Sequence, residues 1–526
     1  MGGGLMQLVA YGAQDIYLTG NPQITFWKVT YRRHTNFAME SIEQTFNGAA
    51  DFGRRVTCTI SRNGDLAYRT YLQVTLPQID QPSSGICYAR WLDFPGHQLI
   101  DDVEVEIGGQ RIDKQYGDWM HIWNQLTLDK NQERGYNKMV GQTTQLTFLT
   151  DPSYADVDGP CDSGAPRQVC APRKSLPEST LYIPLQFWFC QNPGLALPLI
   201  ALQYHEVKIN IDLRAIDECL FAVNDLTKSS GTVKYEAAYA QSLVAASLYV
   251  DYVYLDTDER RRMAQNPHEY LIEQLQYTGA ESVGSSSNKI RLNFNHPCKE
   301  LIWVVQPDAN VDYCSSLTGG SALYHALGAQ PFNFTDALDA LPNTLKAFGS
   351  DEGVAKDSRA FISENGFFEN AGSAKDITTT MSPHIVWDGV GSVNSGVSDA
   401  GTFVLAETSL DMHCWGENPV VTAKLQLNGQ DRFSEREGTY FDQVQPWQHH
   451  TRAPDTGINV YSFALRPEEH QPSGTCNFSR IDNATLQLVL SNATVSGVNT
   501  AKVRVYARNY NVLRIMSGMG GLAYSN

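Results

Sequence analysis

The stretch Val250–Gly279 reads VDYVYLDTDERRRMAQNPHEYLIEQLQYTG, and the fold turns on how it is parsed. Val250 to Leu255 is aromatic and β-branched, the composition of a strand with both faces buried. Thr257 to Arg262 is charged and has no place in a core. Pro267 closes that segment, and Tyr270 to Tyr277 starts a second strand-like run. One β-unit therefore ends at Leu255 and another begins near Glu269.

If the chain holds two units, the second should repeat the first, and it does, in order. Ser41-Ile42-Glu43-Gln44 before Gly48 is echoed by Leu271-Ile272-Glu273-Gln274 before Gly279. Val103–Gln110, ending Ile-Gly-Gly-Gln, is echoed by Ala423–Gln430, ending Leu-Asn-Gly-Gln. Leu181–Leu185 with Gln191–Gly194 is echoed by Val460–Leu465 with Gln471–Gly474. Three echoes in one order argue for duplication. Between matching anchors, Ile42 to Gly109 spans 67 positions and Ile272 to Gly429 spans 157. The second unit therefore carries about 90 extra residues, within Asp308–Ala400, a stretch rich in Gly, Ser, Ala, Asp and Asn.

The chain has 526 residues, 42% of them hydrophobic, enough for sizeable cores. A general length rule suggests three or four domains, but a β-barrel or sandwich often takes about 200–250 residues, which fits two units. The formal charge is −17, and the only dense basic spots are Arg32-Arg33 and Arg260-Arg261-Arg262. That disfavours direct nucleic-acid binding, which needs clustered Lys and Arg along a groove. Ten scattered cysteines without a CxxC pattern read as free thiols of a reducing compartment. Met1 to Gln14 lacks a basic leader region. Met6 stands where a myristoylation motif needs Ser or Thr. Leu181 to Leu202 is too interrupted by polar residues and prolines to span a bilayer.

Short β-like runs bounded by turn residues begin at Ile24 and include Ile42–Phe46, Val56–Ile60, Tyr68–Leu76, Val103–Ile107, Leu181–Phe189, Val207–Leu213 and Leu248–Leu255. The second unit continues with Tyr270–Tyr277, Ile290–Phe294, Leu301–Val305, Thr402–Leu405, Ala423–Leu427, Val460–Leu465, Thr485–Leu490 and Val503–Tyr506. Val103, Val105 and Ile107 alternate with Glu104 and Glu106, a period of two that gives one buried and one wet face. Trp119–Leu128 is a short helix candidate, and Asp151–Lys174 is a long loop. The pattern is all-β, a sandwich or barrel rather than α/β.

No catalytic, cofactor-binding or metal-binding constellation emerges. His449-His450 is the only adjacent histidine pair, and it reads as solvated, without Cys, Asp or Glu at ligand spacing. Asp101-Asp102 reads as solvated loop carboxylates. Gly518-Met-Gly-Gly521 has no following helix to make a dinucleotide loop. Asn333, Asn477, Asn483 and Asn492 each open an Asn-X-Ser/Thr glycosylation pattern, one that is common by chance.

Longer blocks carry a family resemblance. Leu8–Phe26, Tyr31–Phe37, Ser61–Asp65, Glu106–Asp113, Pro193–Val207, Leu427–Phe433, Gln471–Thr485 and Asn509–Tyr524 resemble the major capsid proteins of nucleocytoplasmic large DNA viruses, in the algal-virus and giant-virus branch. Leu128–Ser179 and Asp308–Ala400 fall outside the likeness. The resemblance implies a double jelly roll: two tandem eight-stranded antiparallel barrels with long loop insertions. It implies homotrimeric capsomers in an icosahedral shell, in contact with neighbouring capsomers, minor capsid proteins and penton proteins, and close to an inner viral membrane. It also implies synthesis in the host cytoplasm and no cofactor.

The expected layout is an arm over 1–23, a first jelly roll over 24–257, a linker over 258–267, a second jelly roll over 268–513 with the insertion 308–400, and a tail over 514–526. The competing reading is a carbohydrate-binding or carbohydrate-cleaving β-sandwich, with Trp387, Trp415 and Trp447 as sugar-stacking rings. Core or interface packing is the commoner use of such rings.

Overall fold

The computed structural model describes residues 12–80, 88–147, 150–152, 170–172, 175–224, 234–313, 328–336 and 417–524. Eight principal strands build the first unit, with shorter strands beside them: β1 Phe37–Gln44, β2 Arg55–Thr59, β3 Leu66–Leu76, β4 Ile100–Ile107, β5 Gln110–Tyr116, β6 Ser179–Pro184, β7 Val207–Leu213 and β8 Ala245–Leu255. Eight more build the second: β9 His268–Val283, β10 Ser287–Arg291, β11 Pro297–Pro307, β12 Val420–Leu427, β13 Gln430–Asp431, β14 Ile458–Ser462, β15 Ala484–Leu490 and β16 Ala501–Met516.

The first unit has one sheet in the order β1-β8-β3-β6 and another in the order β2-β7-β4-β5. The second has β9-β16-β11-β14 and β10-β15-β12-β13. Adding eight to each strand number turns one description into the other. The three sequence echoes fall on β1 and β9, β4 and β12, and β6 and β14, which hold equivalent places. The hairpin turn after β4 repeats as well. Gly108 and Gly109 have φ of +58° and +82°, and Asn428 and Gly429 have +52° and +78°. Two consecutive positive φ values make the turn whose twist suits a two-residue hairpin, a conformation reserved mostly for Gly and Asn. This is an all-β double jelly roll.

Each barrel has its own core. Val56, Cys58, Val103, Val105, Ile209, Ile211, Leu248 and Val250 meet inside the first. Leu301, Trp303, Val305, Leu425, Leu486, Leu488, Val503 and Val505 meet inside the second. In β8, Leu248, Val250 and Tyr252 are buried while Tyr249, Asp251 and Val253 are only half-buried. The expectation that this run buries both faces is thereby corrected. A central strand of a two-layer antiparallel barrel turns one face to the core and the other away from it.

Other boundaries differ too. No strand forms at Ile24; the chain from residue 12 to Phe37 is exposed, with a single helical turn at Ile16–Thr19. Residues 258–267 are mostly helix rather than open linker. Helix Thr257–Gln265 starts at Asp256, whose carboxylate accepts from the Thr257 N–H. It carries Asp258 and Glu259 in the first turn and Arg262 in the last, charges that suit the helix dipole. Residues 514–526 do not form a separate tail. β16 runs to Met516, turns at Ser517-Gly518, and returns as β17 Met519–Leu522. Leu513 and Ile515 belong to the first barrel's core, so the end of the chain clasps the barrel made at its beginning.

Candidate functional site: the seam between the barrels

Between β5 and β6 the first barrel carries two long helices, α1 Gly117–Thr127 and α2 Lys130–Val140, followed by a single helical turn at Thr144–Thr147. α1 drops Met120 into its own barrel and turns Trp119, Ile122, Trp123 and Leu126 outward. Those side chains are buried on the outer face of the second barrel's β9-β16-β11-β14 sheet, against Tyr506, Ile302, Val304, Ile458 and Val460. Trp119 and Trp123 stack at 5.7 Å, Trp119 leans on Tyr506 at 5.3 Å, and Tyr506 stacks on Tyr277 at 4.8 Å.

Arg508, on β16, lies with its guanidinium 3.8 Å from the Trp123 ring centroid. It pairs with Glu300 at 3.1 Å and also donates to Glu273. Lys299 reaches Glu273 at 2.7 Å. His450 bridges Glu300 at 2.8 Å and Glu468 at 2.9 Å. Burial alone would raise both carboxyls, yet Arg508 and Lys299 beside Glu273, and His450 and Arg508 beside Glu300, hold each at about 2. Burial would lower His450, but Glu300 and Glu468 lift it to about 9. Burial and Arg508 together bring Lys299 down to about 8 in spite of Glu273.

A second ionic group crosses the seam. Asp118, at the start of α1, meets Arg214 of the first unit at 3.4 Å and Arg504 of the second at 3.6 Å. Arg452 reaches Glu133 of α2 at 2.6 Å. The backbone joins in, with the Leu275 N–H donating to the Asp113 carboxylate at 3.2 Å. Residues 328–336 lie in the same seam. Phe332 meets Phe94 and His121 of the first unit, and Gln306 donates to the Pro331 carbonyl. This part of the insertion is packed between the barrels, because Phe332 and Phe334 supply the apolar surface that its polar neighbours lack.

These groups are consumed by one another. The cavity beside Glu273, Arg508 and Trp123 holds about 10 Å³, room for roughly one water and for no substrate. Among the described residues, no cluster of three or more His, Cys, Asp or Glu side chains is placed to hold a metal ion. The chemistry available here is adhesion.

Several sequence expectations change at this level. His450 is buried and ion-paired, not solvated; His449 is the more exposed of the two and hydrogen-bonds the Leu465 carbonyl. Asp101 and Asp102 stand on β4, paired with Arg214 and Lys114, not in a loop. Asn333 is 5% exposed, with its side-chain oxygen held by Thr335 and its amide donating to Gln330, so the folded chain has no room for a glycan there. Asn477, Asn483 and Asn492 are exposed. Trp387 and Trp415 lie outside the described residues; Trp447 is 79% exposed. The seam's key residues escaped notice in the sequence. A charge inside a strand run, as in Leu271-Ile-Glu-Gln-Leu275 or Ala507-Arg-Asn509, was the available signal.

Two family profiles divide the chain as the barrels do. "Major capsid protein N-terminus" matches residues 25–256, and "Large eukaryotic DNA virus major capsid protein" matches 259–521. The chain belongs to this capsid-protein family. The major capsid protein of Phaeocystis pouchetii virus is 78% identical over 527 residues, covering all of both chains. That of Chrysochromulina ericina virus is 69% identical, again over all of both chains. Among solved structures, a chain of the PBCV-1 virus capsid is 34% identical, with a TM-score of 0.60, covering 95% of this chain and 100% of its own. The protein is a structural component of the capsid shell of a large DNA virus. Among the described residues, no helix is long and apolar enough to cross a membrane.

Proposed function

We propose that this capsid protein assembles as a homotrimer, a pseudo-hexagonal capsomer that tiles the shell. The observation that carries the reading is the matched strand order of the two barrels: three chains supply six similar walls. A head-to-tail contact between unlike faces either closes into a ring or grows into a fibre, and closure at three gives a nearly hexagonal block. Each capsomer meets neighbouring capsomers, minor capsid proteins and penton proteins. The N-terminal arm lies at its inner base, near the inner viral membrane. A role without enzymatic activity is supported by the capsid-protein family to which the chain belongs. The domain plan that goes with this is an arm, a first barrel to about 257, a helical connection, and a second barrel that extends through the C-terminal hairpin. N-linked glycan, where the chain carries any, sits on Asn477, Asn483 or Asn492 and never on Asn333; glycopeptide mapping checks this.

Native mass spectrometry of the purified protein at micromolar concentration tests the assembly. A species near three times 58.5 kDa is expected. A monomer or dimer overturns the trimer.

A further inference from the structure

The seam inside the chain is a pattern for a contact between chains. In the first barrel, the helix between the fifth and sixth strands caps the outer face of the next barrel's four-stranded sheet. The second barrel has its own helical segment at the equivalent place in its topology, a π-helical turn at Tyr440–Val444 leading into helix Gln445–His449. It also drops one large side chain into its own barrel, Phe441, which is buried against Trp303. Its opposite face, Gln443, Val444, Trp447 and Gln448, is exposed, and Leu465 beside it is 75% exposed. Within this chain, among the described residues, that face caps nothing.

The first barrel presents the matching unfilled half. Its β1-β8-β3-β6 sheet is the counterpart of the sheet that α1 covers. In the second barrel the outer face is sealed: Ile302, Val304, Ile458, Val460 and Tyr506 are all at most 1% exposed. In the first barrel the same face carries Met39, Tyr71, Tyr182 and Tyr249 and is open. Tyr71 and Tyr249 stack at 5.3 Å, nearly parallel, with Tyr182 beside them at 6.2 Å. Register gives the counterpart: Glu43 pairs with Tyr249 as Glu273 pairs with Tyr510, so the open Tyr249 answers to Tyr510, which is buried in the second barrel. The echo reaches single residues: Glu273, sunk in the covered network, corresponds to Glu43, which is exposed and paired in register with Tyr249. Tyrosine is the residue enriched where one surface must be both wet before contact and buried after it.

We propose that the Val444–Trp447 face and Leu465 of one copy dock on the Tyr71–Tyr182–Tyr249 face of a second copy of this chain. The occupant is argued from the repeat: the same kind of contact already joins barrel one to barrel two, and it lacks a partner only at its two free ends. Used alternately within and between three chains, one contact geometry closes a ring of six barrels. The second-copy interface is the more polar of the two, as suits a surface that is exposed in the free subunit.

This assignment rests on the trimer reading, and the test separates the two. Trp447→Asp and Tyr71→Arg are made in the full chain, with near-UV circular dichroism and thermal unfolding to verify folding; Trp447 is exposed, so its loss leaves the barrel cores untouched. For the native chain a trimer is expected. For each variant the concentration at which the trimer dissociates should rise by at least about 30-fold. A second measurement places a photo-crosslinking benzophenone residue at position 447. Crosslinks are expected between copies, in peptides spanning 37–44, 66–76, 179–184 or 245–255. A native trimer whose dissociation is unchanged in both variants, or crosslinks that map elsewhere, overturns the docking surface and leaves the trimer standing. A native monomer overturns both.

Discussion

Arg508 is the residue on which the seam balances. It stacks on a tryptophan of one barrel while neutralising two carboxylates of the other. Removing one partner of a buried ion pair leaves an uncompensated charge, so Arg508→Met is expected to cost about 3–5 kcal/mol, read as a lowered denaturation midpoint. Each carboxylate keeps a second cation, Lys299 for Glu273 and His450 for Glu300, so Glu300→Gln in the Arg508→Met background should recover only part of that cost. His450 gives a pH signature. Its folded pKa stands near 9, above the ordinary 6.5, so its contribution is full below about pH 6.5 and is lost as pH rises through 9. The stability gap between the native chain and His450→Gln should be on the order of 2–3 kcal/mol at pH 6 and nearly vanish at pH 10. Equal gaps at both pH values would show that the imidazole is neutral in the fold.

At the scale of elements, the two hairpin turns offer a paired experiment. At Gly109 and Gly429 an added Cβ meets nothing within 4 Å, so any cost comes from the backbone alone. Gly109→Ala and Gly429→Ala should therefore destabilise alike, by roughly 1–2 kcal/mol each. A several-fold difference in chemical denaturation would argue against equivalent turns. α1 offers the opposite case, since its role is set by what it covers. Trp123→Ala removes a large ring from the seam and should cost about 3–5 kcal/mol. Its loss should also loosen the barrels from each other, so protease cleavage near residues 256–267 should quicken.

For the whole molecule, the fold separates what makes a barrel from what makes a shell. The exposed run before β1 carries Ile16, Tyr17, Leu18, Phe26 and Trp27 and contributes to neither core. Deleting residues 2–18 is therefore expected to leave the trimer mass intact, by native mass spectrometry, while lowering the yield of closed shells in electron micrographs. An unfolded or monomeric product would place the arm inside the fold. The insertion beyond residue 336, up to 416, lies outside the described residues; the short piece at 328–336 already serves the seam.

The amino-acid sequence alone determined what depends on neighbours along the chain. Period-two alternation in Val103–Ile107 marked a strand because successive side chains face opposite ways. The Gly-Gly and Asn-Gly pairs that end the Val103–Gln110 and Ala423–Gln430 echo are residue types that accept the positive φ the structure shows there. The ordered echoes marked a second copy of the same plan, and the long shared blocks marked the family. Tertiary structure decided what depends on residues far apart. Glu273 and Arg508 are separated by 235 positions, and Glu300 and His450 by 150. Nothing local tells whether such a charge is solvated or buried beside its partner, which is why His450 read as a surface residue. Asn333 matched an acceptor pattern but was sealed by a fold that the pattern cannot see. Residues 514–526 read as a tail because the apolar surroundings of Ile515 lie in a barrel built more than 250 residues earlier. Local pattern dictates which elements form; which faces they bury depends on the free energy of burial, and that is settled only when the elements meet.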